Sequence, residues 1–237
     1  ERSGFIADSL PPNMSLHWTW IPQHAPHPAW PRDERMSFDR ASHVVVAGGL
    51  VCFGSSADST ITALDAATGK QQWTFIAGGP IRFAPTVWKD RLFVTSDDGY
   101  LYALKLATGE LIERWRGGPN ENRVLGNTQI VSRWPARGGV VIRDDVLYWG
   151  AGIWQSEGIF LHAMNPETGE RLWTNDTSGG IEMPQPHGGA NAKSGVSAQG
   201  YLLASDQQLF LPTGRAVPAA FHRSNGEFEY YRLQENT

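Results

Sequence analysis

A phrase of about a dozen residues occurs three times in the chain, and this repeat constrains the fold more than any other feature. Its copies read LDAATGKQQWTF (64–75), LKLATGELIERW (104–115) and MNPETGERLWTN (164–175). Each copy holds a Thr-Gly pair, then a charged residue and, a few positions later, a tryptophan. A degenerate fourth copy, AFHRSNGEFEYYRL (220–233), has Asn-Gly and an aromatic Tyr230 at the corresponding positions. Repetition of one unit indicates neighbouring copies of one supersecondary element.

The second repeat shows what that element is. Between Ala84 and Trp115, Asp- and Gly-bearing turns separate β-branched and aromatic runs. The pattern predicts four short strands, at about 83–88, 91–95, 100–105 and 111–115. Four short antiparallel strands that recur along a chain are typical of a propeller blade. We therefore predict an all-β protein, a β-propeller of four-stranded antiparallel blades with about four blades present, at about 37–76, 80–116, 137–175 and 195–233.

The Thr-Gly turn and the tryptophan are predicted to work together. A glycine at a hairpin corner supplies a positive φ without steric cost. The tryptophan that follows then lies flat over the neighbouring blade, where a small alanine leaves room for it. The predicted structural docking residues are Trp73, Trp115, Trp173, Gly69, Gly109 and Gly169, and the alanines are Ala63, Ala103 and Ala163.

The repeat resembles the tryptophan-docking motif of quinoprotein-type propellers, the PQQ-like repeat family. Residues 63–73 match Ala-x-Asp-x-x-Thr-Gly-x-x-x-Trp, whereas the later copies have Lys105 and Asn165 in place of the aspartate. The second copy also has two extra residues before Trp115. The opening ERSGFIADSLPPNMSLHWTW is similar to the stretch that precedes the first blade in such proteins.

The resemblance covers nearly the whole chain and carries several expectations. It implies a ring of seven or eight blades, so residues 1–237 are expected to be a single propeller domain or a half-propeller, the latter open to pairing with a second half. Residues 1–36 would form an opening strand and a Pro-rich linker, and 117–136 and 177–194 long inter-blade loops. The resemblance also implies a periplasmic, cell-surface or secreted protein. The N-terminus itself lacks the basic-then-apolar pattern of a signal peptide.

Composition excludes some partners and says little about others. The formal net charge is −4 with a pI near 6.0, so no global basic field favours nucleic acid. No apolar run approaches the roughly 18–20 residues of a membrane-spanning helix. The single cysteine, Cys52, has no partner for an internal disulfide and lies in an apolar run. We interpret it as a small buried hydrophobe.

Candidate binding residues cluster at the predicted mouth of the central channel. A shift of 55 positions aligns the second and third blades and places Arg82 on Arg137. The predicted ligand-binding residues are Arg82, Arg137, Arg215, His187, Lys193 and Gln199. Guanidinium groups bind carboxylates or phosphates in a bidentate manner, which favours an anionic ligand. The alternative is that each arginine holds a neighbouring loop carbonyl or an aspartate such as Asp97 or Asp98.

Two functions remain open from the sequence. The first is a non-catalytic binding or scaffold module whose channel face and two long loops hold a protein partner or an anionic small molecule, with no cofactor or metal. The second, implied by the resemblance, is part of a PQQ-dependent dehydrogenase whose catalytic residues lie mostly outside this chain. Against it, the alcohol-oxidising enzymes carry an adjacent Cys-Cys pair and Ca²⁺ ligands. The candidate calcium ligands here are Asp176, Glu182 and Asn191, and their spacing along the chain does not indicate a calcium site.

Overall fold

The computed structural model describes residues 9, 12–31, 42–185, 189–213 and 216–233. These residues form strands, with one 3₁₀ turn at Gln155–Glu157. The first blade comprises β1 (Val44–Ala47), β2 (Leu50–Ser55), β3 (Thr60–Asp65) and β4 (Gln71–Ile76). The second comprises β5 (Thr86–Trp88), β6 (Arg91–Thr95), β7 (Tyr100–Lys105) and β8 (Leu111–Arg116). The four strands predicted for this second blade are confirmed, with β5 beginning later than expected.

A hairpin of β9 (Arg123–Leu125) and β10 (Ile130–Ser132) separates the second blade from the third. The third blade comprises β11 (Gly138–Arg143), β12 (Val146–Ala151), β13 (Phe160–Met164) and β14 (Arg171–Asn175). A second hairpin follows, β15 (Ile181–Pro184) and β16 (Asn191–Ser194). Both segments predicted as long loops therefore contain paired strands.

The last part of the chain forms the fourth blade. Strand β17 (Gly200–Tyr201) pairs in parallel with β11 and ties this blade to the third. The blade itself comprises β18 (Leu203–Ala204), β19 (Gln208–Leu211), β20 (Ala216–His222) and β21 (Phe228–Leu233). Within each of the four blades, the four blade strands form an antiparallel meander in chain order, and β17 adds a fifth, parallel strand to the sheet of the third blade. The prediction of an all-β propeller with four-stranded blades is confirmed. In the described residues, no helix is long and apolar enough to cross a membrane.

Successive blades enclose three apolar cores. The core between the first two blades holds Cys52 and Ala63 against Leu92 and Leu104. The next two cores join the second blade to the third and the third to the fourth. Burial raises the pKa of the Cys52 thiol to about 11, as expected for a cysteine that serves as a small hydrophobe.

The tryptophans of the repeat lie on the glycine turns of the next blade. The Trp73 indole covers Gly109, where an added Cβ would be 2.4 Å from Trp73 Cε3, and its Nε1 donates to Leu106 O at 3.0 Å. Trp173 covers Gly226 in the same way and donates to Arg223 O at 3.1 Å. The glycine is thus required twice, for its positive φ and for the close approach of the ring.

The alanines have a different position from the one expected. Ala63 is the cross-strand neighbour of Trp73 within the first blade, and Ala163 is that of Trp173 within the third. They make room beside the indole in its own sheet, because directly opposed side chains in a sheet are close neighbours. The surface that the indole covers on the next blade is the glycine turn.

Candidate functional site

Arg82 and Arg137, the two arginines aligned in the sequence, meet on one aspartate. Arg137 donates from Nε to Asp97 Oδ1 at 2.8 Å and from Nη2 to Asp97 Oδ2 at 2.7 Å. Arg82 donates from Nε to Asp97 Oδ2 at 2.7 Å. The Asp97 side chain is 1% exposed, and both guanidinium groups are buried. Two guanidinium groups thus share one carboxylate, and these three side chains are named here the Asp97 cluster.

Backbone contacts fix the carboxylate in this place. Asp97 lies in the turn between β6 and β7, where its N–H donates to Pro80 O at 2.9 Å and its carbonyl accepts from Ser132 N at 2.8 Å. Arg137 directly precedes β11 of the next blade. The Asp97 cluster therefore joins the second and third blades and the segment that leads to β5. These contacts match the alternative given above for Arg82 and Arg137, in which a neighbouring aspartate holds each arginine in place of a ligand.

A segment before the first blade covers the cluster. Arg82 Nη1 donates to His27 O at 2.8 Å. The His27 ring in turn lies 3.0 Å from Asn127 O and 3.2 Å from Thr128 Oγ1, at the tip of the β9–β10 hairpin. The Asn127 amide returns to Pro28 O and Trp30 O at 3.1 and 3.0 Å. The hairpin tip and residues 27–30 thus hold each other in place above the Asp97 cluster.

This arrangement presents apolar side chains to solvent. Leu125 and Ile130 are cross-strand partners on the hairpin and are 77% and 62% exposed. Trp30, whose carbonyl accepts from Asn127, is also exposed. Leu125 and Ile130 thus form an exposed apolar pair on a hairpin whose tip is hydrogen-bonded to residues 27–30. We name Leu125, Ile130 and Trp30 the hairpin patch.

Two of the other predicted channel residues lie in the described part of the chain. Gln199 is exposed, with Nε2 donating to Ser197 Oγ at 2.7 Å. Lys193 is exposed on β16, opposite Glu182. His187 and Arg215 lie outside the described residues. Ligand binding by this set stays a prediction.

Two residues with long-range contacts near the Asp97 cluster, His27 and Tyr201, were not identified from the sequence. His27 lies within residues 1–36, the segment predicted as an opening strand and a Pro-rich linker, and it contacts the tip of the β9–β10 hairpin. Tyr201 crosses from β17 to accept a hydrogen bond from Ala84 N at 2.8 Å, and its ring packs on Phe83 at 5.0 Å. Neither contact has a local sequence signal, since the partners are separated by many residues.

The described residues do not fit a PQQ–calcium site. They contain no group of three or more His, Cys, Asp or Glu side chains placed to hold a metal ion. The buried carboxylate of Asp97 is already engaged by two arginines. Cys52, the single cysteine of the chain, is buried between blades. We derive no redox step from this chain's residues.

Comparison with known proteins identifies the family. A family model described as outer membrane protein assembly factor BamB (PQQ_2) matches residues 20–209. The chain belongs to this family. The PQQ-like repeat assignment from the tryptophan motif is thereby confirmed. The chain is also 30% identical, over 125 residues, to a polyvinylalcohol dehydrogenase of a Pseudomonas species, a stretch that is 52% of this chain and 18% of that enzyme.

Solved structures support the same fold. Quinohemoprotein alcohol dehydrogenase ADHIIG from Pseudomonas putida HK5 matches with a TM-score of 0.61 and 16% identity, over 81% of this chain and 34% of that one. The quinohemoprotein alcohol dehydrogenase of Comamonas testosteroni gives the same values. The chain thus spans about a third of the length of these enzymes. Members and neighbours of this PQQ-like family include both dehydrogenases and an assembly factor, so the fold alone does not assign the role.

Proposed function

We propose that this chain is a non-catalytic binding module of the PQQ-like propeller type, which holds a protein partner on its channel face. The observation that carries the proposal is the hairpin patch, an exposed apolar surface on a hairpin fixed to residues 27–30. Rigid apolar anchors with a polar surround are typical of interaction sites. The family description, an outer membrane protein assembly factor, is compatible with such a role and with an exported location.

An anionic ligand is the second candidate for the same face. Arg82 and Arg137 support it, because they lie side by side on Asp97 and guanidinium groups bind carboxylates and phosphates in a bidentate manner. A third candidate is a contribution to a PQQ-dependent dehydrogenase. It is supported by the likeness to polyvinylalcohol dehydrogenase, and it would need its catalytic groups from outside these residues.

The binding role is tested by substitution on the hairpin. Immobilised wild-type protein and the double variant Leu125→Asp/Ile130→Asp are compared for what they retain from the envelope fraction of the source cells. The matched control is Leu172→Asp, an equally simple change of an exposed leucine on β14. A protein retained by the wild type and the control but lost from the double variant supports the proposal. Identical retention by all three refutes it.

A parallel titration separates the other candidates. PQQ with Ca²⁺, and citrate alone, are added while tryptophan fluorescence is recorded, with Arg137→Met as the comparison. Saturable binding of PQQ only in the presence of Ca²⁺ would favour the dehydrogenase hypothesis. Citrate binding lost in Arg137→Met would favour the anion site.

A further inference from the structure

The hydrogen bonds of the β9–β10 hairpin define which backbone groups point away from it. Gly126 N donates to Gln129 O at the tip, and Arg133 N donates to Asn122 O at the base, both at 2.8 Å. In an antiparallel ladder, pairs that exchange hydrogen bonds alternate with pairs that do not. Counted from either end of this hairpin, every second pair is therefore a hydrogen-bonded one.

Strand β9 accordingly turns the backbone groups of two residues outward. Val124 and Val131 form the hydrogen-bonded pair in the middle of the hairpin, so the N–H and C=O groups of Arg123 and Leu125 point to the far side of β9. In the described residues, β9 pairs with β10 alone, and no hydrogen bond reaches these four groups. We name the two N–H and two C=O groups of Arg123 and Leu125 the β9 edge.

The other edge of the hairpin is attached to the second blade. Ser132 of β10 points its N–H away from β9 and donates to Asp97 O at 2.8 Å. Among the described residues, the apolar cores that join successive blades contain no residue of β9. The packing of one blade on the next therefore does not use the β9 edge, which lies on the side of the hairpin opposite to Asp97.

The second hairpin has a proline where β9 has a free donor. Gln185 N donates to Ala190 O at 2.8 Å, so the same alternation makes Glu182 and Pro184 the outward residues of β15. Proline has no N–H, and on an edge strand it prevents pairing with another chain. Strand β9 contains no proline, so its edge keeps both donors.

The side chains beside the β9 edge indicate which strand fits it. Arg123 and Leu125 lie on the same face of β9, because successive side chains alternate. Leu125 is 77% exposed, and Arg123 is exposed and makes no ion pair with the described residues. An added antiparallel strand places one residue directly opposite each of them. Since that strand runs in the opposite direction, the complementary order is an apolar residue followed two positions later by an acidic one.

We propose that the β9 edge binds an extended segment of a partner protein, which joins the hairpin as a third, antiparallel strand with an apolar residue opposite Leu125 and an acidic residue opposite Arg123. The β9 edge supplies four backbone hydrogen bonds, and the two side chains select the segment. A basic residue opposite Arg123 is disfavoured by like-charge repulsion. This inference rests on the protein-binding role proposed above and specifies its mode.

A synthetic heptapeptide, Ser-Thr-Val-Thr-Glu-Thr-Ser, is the probe, with its valine for Leu125 and its glutamate for Arg123. It is titrated into the isotope-labelled full chain, and amide shifts and amide hydrogen exchange are recorded by nuclear magnetic resonance. We expect saturable binding. At nine-tenths saturation, exchange at Arg123 and Leu125 should slow about tenfold, because only the free protein exchanges there. Exchange at Val124, whose N–H lies in the ladder, should change little.

Matched pairs separate backbone pairing from side-chain contact. Leu125→Pro removes an outward N–H that the ladder does not use, and it should weaken peptide binding at least about tenfold. Leu125→Ala also loses the leucine side chain but keeps the N–H, so it should weaken binding less. A peptide with lysine in place of glutamate should bind about fivefold more weakly than the probe.

A modified peptide keeps the test independent of how Leu125→Pro folds. N-methylation of the probe at its valine blocks an amide that donates to the β9 edge, so binding should be lost. N-methylation at the following threonine, whose amide points away, should leave binding unchanged.

The outcomes distinguish this mode from the binding role itself. Absence of peptide binding, equal weakening by Leu125→Pro and Leu125→Ala, or binding by the valine-methylated peptide would each overturn strand addition. If Leu125→Pro still retains an envelope protein that Leu125→Asp/Ile130→Asp loses, the hairpin patch binds by its side chains alone and the binding role stands. A wild type that dimerises in sedimentation, beside a monomeric Leu125→Pro, would assign the β9 edge to a second copy and overturn the proposal.

Discussion

Strand β11 lies between two arginines that are paired with aspartate in opposite environments. Arg137 precedes the strand and binds Asp97, whose side chain is 1% exposed. Arg143 ends the strand and binds Asp206, whose side chain is 85% exposed. Near Arg143, Arg223 binds Asp144 at 2.5 Å, so this end has two arginines and two carboxylates, whereas the two arginines of the Asp97 cluster share one. The chemistry at the two ends is similar and the burial is not.

The difference indicates what each end contributes to stability. A buried charge that loses its partner has no water to replace it, whereas an exposed one is hydrated and screened. The Asp97 cluster should therefore determine whether the second and third blades stay joined. The exposed end should matter little. The following predictions test this contrast, from the largest expected effect to the smallest.

Removing the buried carboxylate should have the largest effect. In Asp97→Ala, two buried guanidinium groups lose the carboxylate that they share, so we expect the free energy of unfolding to fall by about 3–5 kcal/mol. Urea unfolding followed by tryptophan fluorescence measures it. Asp97→Asn keeps the side-chain volume and removes the charge, so it separates the loss of charge from the loss of packing. A loss below about 1 kcal/mol would mean that the cluster behaves like a surface pair.

A buried histidine extends the contrast to pH. Burial, together with the positive charge of Arg171, lowers the pKa of His162 from 6.5 to about 3, despite its contact with Gly117 O at 3.0 Å. The unfolded chain takes up this proton near pH 6.5, so the stabilisation is present above that pH and is lost as pH falls. At pH 5 the loss should be about 2 kcal/mol.

The variant His162→Gln isolates this contribution. Its own stability should change less between pH 7 and pH 5 than that of the wild type, because it has no ring to protonate. The difference between the two unfolding curves at each pH is the quantity to measure. Parallel curves would show that His162 is protonated in the folded protein.

The exposed end should respond weakly. Asp206→Ala is expected to cost at most about 1 kcal/mol, and less at high salt, because the pair is open to solvent and screened. Urea unfolding at low and at molar salt checks it. A cost comparable with that of Asp97→Ala would remove the contrast between the two ends of β11.

The smallest effect is expected for the chemical modification of Cys52 in the folded protein. The thiol is fully buried and its pKa is raised to about 11, so iodoacetamide should leave it unmodified in the folded protein at pH 8. Mass spectrometry after a timed reaction measures the modified fraction, with the urea-unfolded chain as the reactive control. Rapid modification under native conditions would show that the first two blades separate readily.

Much of this architecture was determined by the sequence. The Thr-Gly turns, the strand alternation and the tryptophan spacing predict the four-stranded blades because each depends on nearby residues and local backbone preference. The second blade shows this best, since all four of its strands are predicted and the two extra residues before Trp115 are evident from the sequence. The burial of Cys52 followed equally from its apolar surroundings.

The candidate site was decided only by the tertiary structure. Sequence reasoning aligned Arg82 with Arg137 and named Asp97 as one possible partner, but it could not choose between that aspartate and a ligand. The choice depends on loops from different blades that meet in space, as when His27 contacts the β9–β10 hairpin 100 residues further on. Turns and strands are encoded by neighbouring residues. The partner of a buried charge such as Arg137 depends instead on which distant segments pack around it and exclude water.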